Sequence, residues 1–105
     1  MHARKIMLMK NEIVRTIQAH IEEIKSYGVR RIGIFGSFAK SASRHKSDID
    51  IIIDFSKGKK TFDNYMELKF FLENLFRRKV DLVIKDTLKS RIRKGVLRET
   101  AYARL

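Results

Sequence analysis

The sequence predicts an α/β or α+β fold in which helices cover a small β-sheet. Two segments, residues 11–27 and 61–77, repeat apolar residues at the three- and four-residue spacing of an amphipathic helix. Three short runs, residues 29–35, 48–55 and 80–84, alternate with them and have the β-branched composition of strands. The chain has 105 residues, of which 44% are hydrophobic, and this suits a single domain with one core over residues 1–105.

The first predicted elements are a helix and a strand. Along residues 11–27 the apolar positions fall on one helix face, namely Ile13, Val14, Ile17, Ile21 and Ile24. Gly28 is placed to end this helix. Residues 29–35 follow as the first strand, because they are rich in Val, Ile and Phe. Gly36-Ser37 breaks the strand, and we expect a short helical turn after the break.

The second strand and the second long helix come next. Residues 48–55 form the strand, and residues 56–60 form a basic loop. Thr61 is a favourable N-cap for a helix that runs to about Arg77. The face of this helix that we expect to pack inward consists of Tyr65, Leu68, Leu72 and Leu75.

The last part of the chain contains the third strand and a short helix. Residues 80–84 form the strand, and Asp86 or Thr87 is expected to cap a helix that ends near Gly95. Residues 96–105 show no clear pattern. The sequence leaves open whether neighbouring strands run parallel or antiparallel.

Composition restricts the possible functions. The 24 Lys and Arg residues exceed the 12 Asp and Glu residues, which gives a net charge of +12. This excess favours nucleic acid, nucleotide phosphates or an acidic protein as partners; a heavily charged, thermophile-like surface is the alternative. The chain has no cysteine and three histidines, so we expect neither disulfides nor a zinc site. No apolar run is long enough to span a membrane, and we expect a cytoplasmic protein.

Two carboxylates on the second strand are the first candidates for chemistry. Side chains alternate between the faces of a strand, so Asp48 and Asp50 are expected on one side and Ile49, Ile51 and Ile53 on the other. Adjacent carboxylates repel each other, and a divalent cation relieves the repulsion. Magnesium prefers such oxygen ligands together with substrate phosphates and water. The alternative is an exposed strand edge with two solvated acids.

A third carboxylate, Asp81, lies within an apolar strand, where an unpaired charge is costly. If this strand lies beside residues 48–54, Asp81 joins Asp48 and Asp50 in one cluster. Three carboxylates can hold two metal ions roughly 3.5 to 4 Å apart, an arrangement that catalyses phosphoryl transfer. The alternative is an outward-facing residue on an edge strand.

The break after the first strand is a candidate phosphate site. Gly36 allows close approach to the backbone, and the Ser37 hydroxyl adds a hydrogen-bond donor. A helical turn here would direct free N–H groups and its positive dipole end at an anion. The loop that follows carries four basic or titratable residues, Lys40, Arg44, His45 and Lys46. An ordinary strand-to-helix turn with a solvated loop is the alternative.

Residues 36–51 resemble the signature of the minimal nucleotidyltransferases of the DNA polymerase β superfamily. That signature is Gly-Ser, a short basic stretch and Ser-Asp-Ile-Asp followed by apolar residues. The third family aspartate stands in a Val-Asp-Leu-Val context, which matches residues 80–83, and residues 96–99 resemble the closing segment of the family. The resemblance covers nearly the whole chain.

The resemblance implies a mixed sheet flanked by helices, which is the polymerase β-like fold. It also implies two magnesium ions at Asp48, Asp50 and Asp81, and nucleotide contacts by a second set of residues, namely Gly36, Ser37, Lys40 and Ser47. Many minimal members are antitoxins of a HEPN-domain toxin, and characterised relatives transfer AMP from ATP to a toxin tyrosine. We therefore expect a protein adenylyltransferase with a HEPN partner.

The basic stretch departs from the family pattern. Ala39-Lys40-Ser41 stands where Ala-Arg-Gly is common, so Lys40 keeps the charge without the bidentate geometry of Arg. This departure does not touch the carboxylates, so activity stays the expectation. Three alternatives stay open: an antitoxin that only binds its toxin, a nucleotidyltransferase that acts on RNA or a small molecule, and a nucleic-acid-binding protein without catalysis. Transfer by an Asp50→Asn variant would contradict the metal-cluster hypothesis.

Overall fold

The computed structural model describes residues 7–8, 10–35, 43–44 and 48–103. In chain order its elements are β1 (Met7–Leu8), α1 (Lys10–Ala19), α2 (Ile21–Ser26), β2 (Val29–Phe35), β3 (Ser43–Arg44), β4 (Ile49–Phe55), α3 (Phe62–Phe76), β5 (Val80–Ile84), a 3₁₀ turn (Lys85–Thr87), α4 (Ser90–Arg98) and β6 (Ala101–Tyr102). The alternation of helices and strands agrees with the predicted class.

The main sheet has four strands in the order β5-β4-β2-β6. Strand β2 is antiparallel to both β4 and β6, whereas β4 and β5 are parallel. The sheet is therefore mixed, and the predicted fold is confirmed. Strands β1 and β3 form a separate antiparallel pair of two residues each.

Helix α3 makes the parallel pairing of β4 and β5 possible, because parallel neighbours need a crossover connection. The Thr61 hydroxyl accepts a hydrogen bond from the Asn64 N–H at 3.1 Å, which confirms the predicted N-cap. The helix ends at Arg77, which adopts the left-handed conformation with φ 56°. The predicted bounds of this helix are confirmed to within one residue.

The core lies between one face of the main sheet and helices α1, α2 and α3. The helices contribute five fully buried residues, namely Ile13, Ile17, Ile24, Leu68 and Leu72. The other residues of the predicted inward faces are partly buried against this core, namely Val14, Ile21, Tyr65 and Leu75. The hydrophobic patterns therefore predicted both helix faces correctly.

The prediction of one continuous helix over residues 11–27 was wrong. The chain leaves helical geometry at His20, with φ −115° and ψ 23°, and forms two helices instead. His20 Nδ1 lies 3.0 Å from the Thr16 carbonyl oxygen, and the ring makes an edge contact with Phe71. Ile24 on α2 is buried in the same core as Ile13 and Ile17 on α1.

The prediction for the last helix was also wrong. Thr87 belongs to the 3₁₀ turn, where its hydroxyl donates to the Ile84 carbonyl at 2.7 Å instead of capping a helix. Helix α4 continues past the exposed Gly95 to Arg98, and β6 follows it. Strand β6 packs against Gly33, where an added Cβ would lie 2.7 Å from Thr100 Cγ2.

In the part of the chain that the structure describes, no helix has both the length and the apolar character required to cross a membrane.

Candidate active site

Strand β4 has an apolar core face and an opposite face on which two acids, Asp50 and Asp54, flank the buried Ile52. Ile49, Ile51 and Ile53 are at most 1% exposed and belong to the core. Asp48 and Asp50 point to the opposite face, where Asp48 is exposed and Asp50 is partly buried. The predicted division of this strand into a core face and an acidic face is confirmed.

The parallel pairing of β4 with β5 brings the third aspartate to the same place. Asp81 is the direct partner of Asp50 in the register, and paired residues project to the same face of a sheet. The two carboxyl groups are within hydrogen-bonding reach of each other. On the other side of β4, Phe35 is the partner of Asp50 and is partly buried. The three predicted aspartates thus lie at one end of one sheet face.

The electrostatics of this end favour a cation. The pKa of Asp50 is raised from 3.8 to about 6, first by burial, then by the charges of Asp81 and Asp48 and by the hydrogen bond to Asp81. The site therefore resists a third negative charge in the absence of a counterion. A divalent cation between the carboxylates would remove this penalty.

The donor set fits magnesium in an open site. Within residues 7–8, 10–35, 43–44 and 48–103, no three Asp, Glu or His side chains form a complete metal-binding group. Magnesium commonly takes only one or two protein carboxylates and completes its shell with water and substrate phosphates. The close pair Asp50 and Asp81, with Asp48 beside it, matches that requirement. The oxygen ligands that are still needed would come from a nucleotide.

The predicted nucleotide-binding residues, Gly36, Ser37, Lys40 and Ser47, lie outside the described residues, and so does the predicted turn after Gly36-Ser37. Two described residues flank this part of the sequence. Phe35 precedes it and pairs with Asp50, and Asp48 follows it. Both ends of the predicted phosphate loop therefore lie at the acidic end of the sheet.

Comparison with known proteins identifies the family. Residues 17–103 match the family model of the nucleotidyltransferase domain. The chain belongs to this family. It is 42% identical to the protein adenylyltransferase MntA of Thermococcus cleftensis over 97 residues, which cover 91% of this chain and 97% of the relative. The predicted family and enzyme class are confirmed.

Solved structures show the same fold. A minimal nucleotidyltransferase superposes with a TM-score of 0.70 at 35% identity, covering 84% of this chain and 93% of that chain. The MNT antitoxin complex with tri-AMPylated Shewanella oneidensis HEPN toxin gives a TM-score of 0.59 at 18% identity, covering 85% of this chain and 70% of that one. The second match supports the fold alone.

The nucleotidyltransferase also holds Asp81 in place through a residue that sequence analysis missed. Glu73 on α3 accepts a hydrogen bond from the Val80 N–H at 3.0 Å and another from Lys69 Nζ at 2.9 Å. The hydrogen bond from Lys69 lowers the pKa of Glu73, and the bond from Val80 lowers it further. From sequence, Lys69 and Glu73 form an ordinary surface pair at i and i+4. Their contact with β5 depends on how α3 packs.

A fourth acid, Asp54, occupies the other end of the same sheet face. It is 4% exposed, and its Oδ2 lies 3.3 Å from Lys85 Nζ and 3.9 Å from an Arg30 guanidinium nitrogen. Oδ2 accepts no aligned hydrogen bond within the described residues, so these contacts are purely ionic. Asp54 lies four residues, or about 13 Å, from Asp50 along the strand. It therefore serves the structure and not the cluster.

Proposed function

We propose that this nucleotidyltransferase transfers AMP from ATP to the hydroxyl of a tyrosine of a HEPN-domain toxin, with release of pyrophosphate, and so acts as an antitoxin. The observation that carries the proposal is the register that places Asp50 opposite Asp81 on parallel strands. The relative in Thermococcus cleftensis, which this chain covers almost completely, is a protein adenylyltransferase. A structural neighbour is an MNT antitoxin bound to an AMPylated HEPN toxin. The sequence similarity supports a protein acceptor, and the shared fold makes a HEPN toxin the candidate.

The acidic end of the sheet supplies the metal ligands in this proposal. Asp48, Asp50 and Asp81 would hold two magnesium ions, which supply Lewis-acid activation and neutralise phosphate charge when bound. Asp81 is exposed and lies on the outer strand, and we assign it the position nearest the acceptor oxygen, where it would accept the hydroxyl proton. Glu73 fixes the backbone immediately before Asp81 and so orients it.

The nucleotide would enter from the segment between β2 and β4. Gly36 and Ser37 would bind its phosphates through backbone N–H groups and the hydroxyl, as the resemblance implies. Lys40 and Ser47 complete the proposed nucleotide-binding set. Both ends of this segment are at the carboxylates, so a triphosphate bound there could reach the metal ions.

A labelling experiment tests the proposal. The purified protein is incubated with magnesium, α-labelled ATP and lysate of the source organism, and label is followed on both protein and RNA. Asp50→Asn is the inactive variant. Asp86→Asn is the matched control, because it makes the same carboxylate-to-amide change at an exposed residue outside the cluster. We expect label on one protein band with the wild type and Asp86→Asn, and none with Asp50→Asn.

The other outcomes identify the alternatives. Label on RNA would keep the enzyme class and change the acceptor. No transfer from any of the four triphosphates would favour a partner protein that inhibits by contact alone. In that case Asp50→Asn would still neutralise the toxin in cells, whereas the proposed mechanism requires that it does not.

A further inference from the structure

Helix α4 carries a cationic face that the proposed chemistry does not use. Arg91, Lys94 and Arg98 are spaced by three and four residues, so they lie on one side of the helix, and all three are exposed. The helix contains no acidic residue. Within residues 48–103 and the other described segments, none of the three forms an ion pair, whereas Lys69 and Lys85 pair with acids on the fold.

The surface around these cations is open to a partner. No residue of α4 is buried, and Ile92 is 48% exposed. Gly95 lies between Lys94 and Arg98, and no atom of the described residues outside its own helix turn lies within 4 Å of where its Cβ would be. A partner could therefore approach the helix backbone closely at Gly95 while it contacts the cations on either side.

Helix α4 connects the end of the sheet that is remote from Asp50 to the end that carries Asp50. It starts after Ile84, which pairs with Ile53 near the end of β4 that is remote from Asp50. It ends just before Ala101, which pairs with Ile34, the neighbour of Phe35. Because Phe35 pairs with Asp50, the C-terminal end of α4 reaches the sheet at the acidic end. Helix α4 therefore runs from the remote end of β5 to the acidic end of β6, which lies two strands from β4.

We propose that the face formed by Arg91, Lys94 and Arg98 docks an acidic surface of the acceptor protein and so delivers its hydroxyl to the carboxylates. This inference rests on the proposed function. Three like charges that form no ion pair with the described acids complement an anionic surface, and the exposed Ile92, at the side of this face next to Arg91, adds the apolar contact found in protein interfaces. RNA fits this face less well, because α4 has no aromatic side chain on which a base could stack.

Binding measurements in the inactive Asp50→Asn background separate docking from catalysis. The probe is the acceptor protein that the labelling experiment identifies. The test variant is Arg91→Glu/Lys94→Glu, and both changes suit the helix, because Arg91 lies in its first turn and Lys94 in its middle. The matched control is Lys57→Glu/Lys60→Glu, which changes the net charge equally in the exposed loop after β4. Thermal melts verify that both variants fold, and Arg91→Gln/Lys94→Gln is a milder second variant.

We expect the Kd for the acceptor to rise about tenfold or more in the α4 variant and by less in the loop variant. The Kd of the α4 variant should also depend less on salt than that of the wild type, because the charges that salt screens have been removed from the interface. Equal rises in the two variants would overturn the docking surface, because total charge would then explain the effect. Loss of RNA binding with an unchanged Kd for the acceptor would overturn it in favour of RNA. If the wild type labels no protein, the proposed function fails first, and the docking surface fails with it.

Discussion

The two faces of β4 come from one seven-residue strand and serve different purposes. On one face, Ile49, Ile51 and Ile53 are buried against three helices. On the other, Asp50 meets a second carboxylate across the strand pair. The apolar face stabilises the fold. The acidic face lowers the stability of the fold at neutral pH, because its carboxylate charges repel each other. The comparison shows that one strand combines a face that stabilises the fold with a face whose repelling carboxylates we propose to be metal ligands.

The acidic face itself contains a second contrast. Asp50 and Asp54 are two alternate positions apart and share that face. Asp54 has two cations beside it, Lys85 and Arg30, whereas the charges that act on Asp50 within the described residues are the carboxylates of Asp81 and Asp48. The neighbours of an acid on a strand, and not its residue type, therefore indicate whether it stabilises the fold or awaits a ligand.

The largest expected effect comes from a substitution that changes the acidic face of β4 and leaves the core face intact. Asp50→Asn should lower AMP transfer by on the order of 10³-fold or more, because it removes a central proposed ligand of the metal ions. The circular dichroism spectrum should match that of the wild type. Initial rates with labelled ATP measure the change. A variant with more than a tenth of the wild-type rate would contradict the role assigned to Asp50.

The next largest effect comes from a substitution that changes the core face of β4 and leaves the acidic face intact. Ile51→Ala should lower the free energy of unfolding by about 3–4 kcal/mol, because it leaves a cavity in a site that is fully buried. Ile51→Val, the matched smaller deletion, should cost about 1 kcal/mol. Urea unfolding measures both. At a temperature where each variant is folded, the KM for ATP should equal that of the wild type; a large rise would show that the two faces are not independent.

The sequence correctly predicted the elements whose bounds are determined by local patterns. The bounds of β2 and β5 and the Thr61 cap agree with the structure, because runs of β-branched residues and a capping hydroxyl act over a few residues. The break at His20 and strand β6 were not predicted, because each depends on packing between distant segments. His20 contacts Phe71, and β6 requires the space that Gly33 leaves open.

The candidate site divides in the same way. Asp48, Asp50 and Asp81 could be named from residue type and resemblance to a family, and the strand register then places Asp50 beside Asp81. Glu73 could not be named, because its hydrogen bond to the Val80 N–H exists only once the end of α3 lies beside β5. The basic face of α4 was also missed, because the helix was expected to end at Gly95, and Arg98 lies beyond that point.

A smaller effect tests the contrast within the acidic face. Asp54→Asn should lower the free energy of unfolding by about 2 kcal/mol, because it removes the charge that Lys85 faces in a buried position. Because Lys85 is 25% exposed and can turn to solvent, the cost is below that of a fully buried pair. AMP transfer should persist. A loss of transfer equal to that of Asp50→Asn would place Asp54 in the chemistry.

The smallest expected effect is the contribution of Asp50 to the pH dependence of the free energy of unfolding. Its pKa is about 6 in the folded protein and 3.8 in its ordinary state, so between these values the folded chain holds a proton that the unfolded chain has released. Without divalent ions, the contribution of Asp50 to the free energy of unfolding should therefore fall as pH rises from about 4 to 6. Solvent screening at this partly exposed residue limits the loss to about 1 kcal/mol.

Other acids titrate in the same range, so the measured quantity is the difference between the wild type and Asp50→Asn. Glu73, whose pKa is lowered, contributes the opposite slope below its ordinary value of 4.5, and this contribution cancels in the difference. Urea unfolding in EDTA should show the wild type losing stability relative to the variant up to about pH 6 and a constant difference above it. Saturating magnesium should reduce that difference at pH 7, because a cation bound at Asp50 and Asp81 stabilises their ionised form. A difference independent of both pH and magnesium would show that Asp50 carries no excess charge, and the contrast between the two faces of β4 would then be only one of polarity.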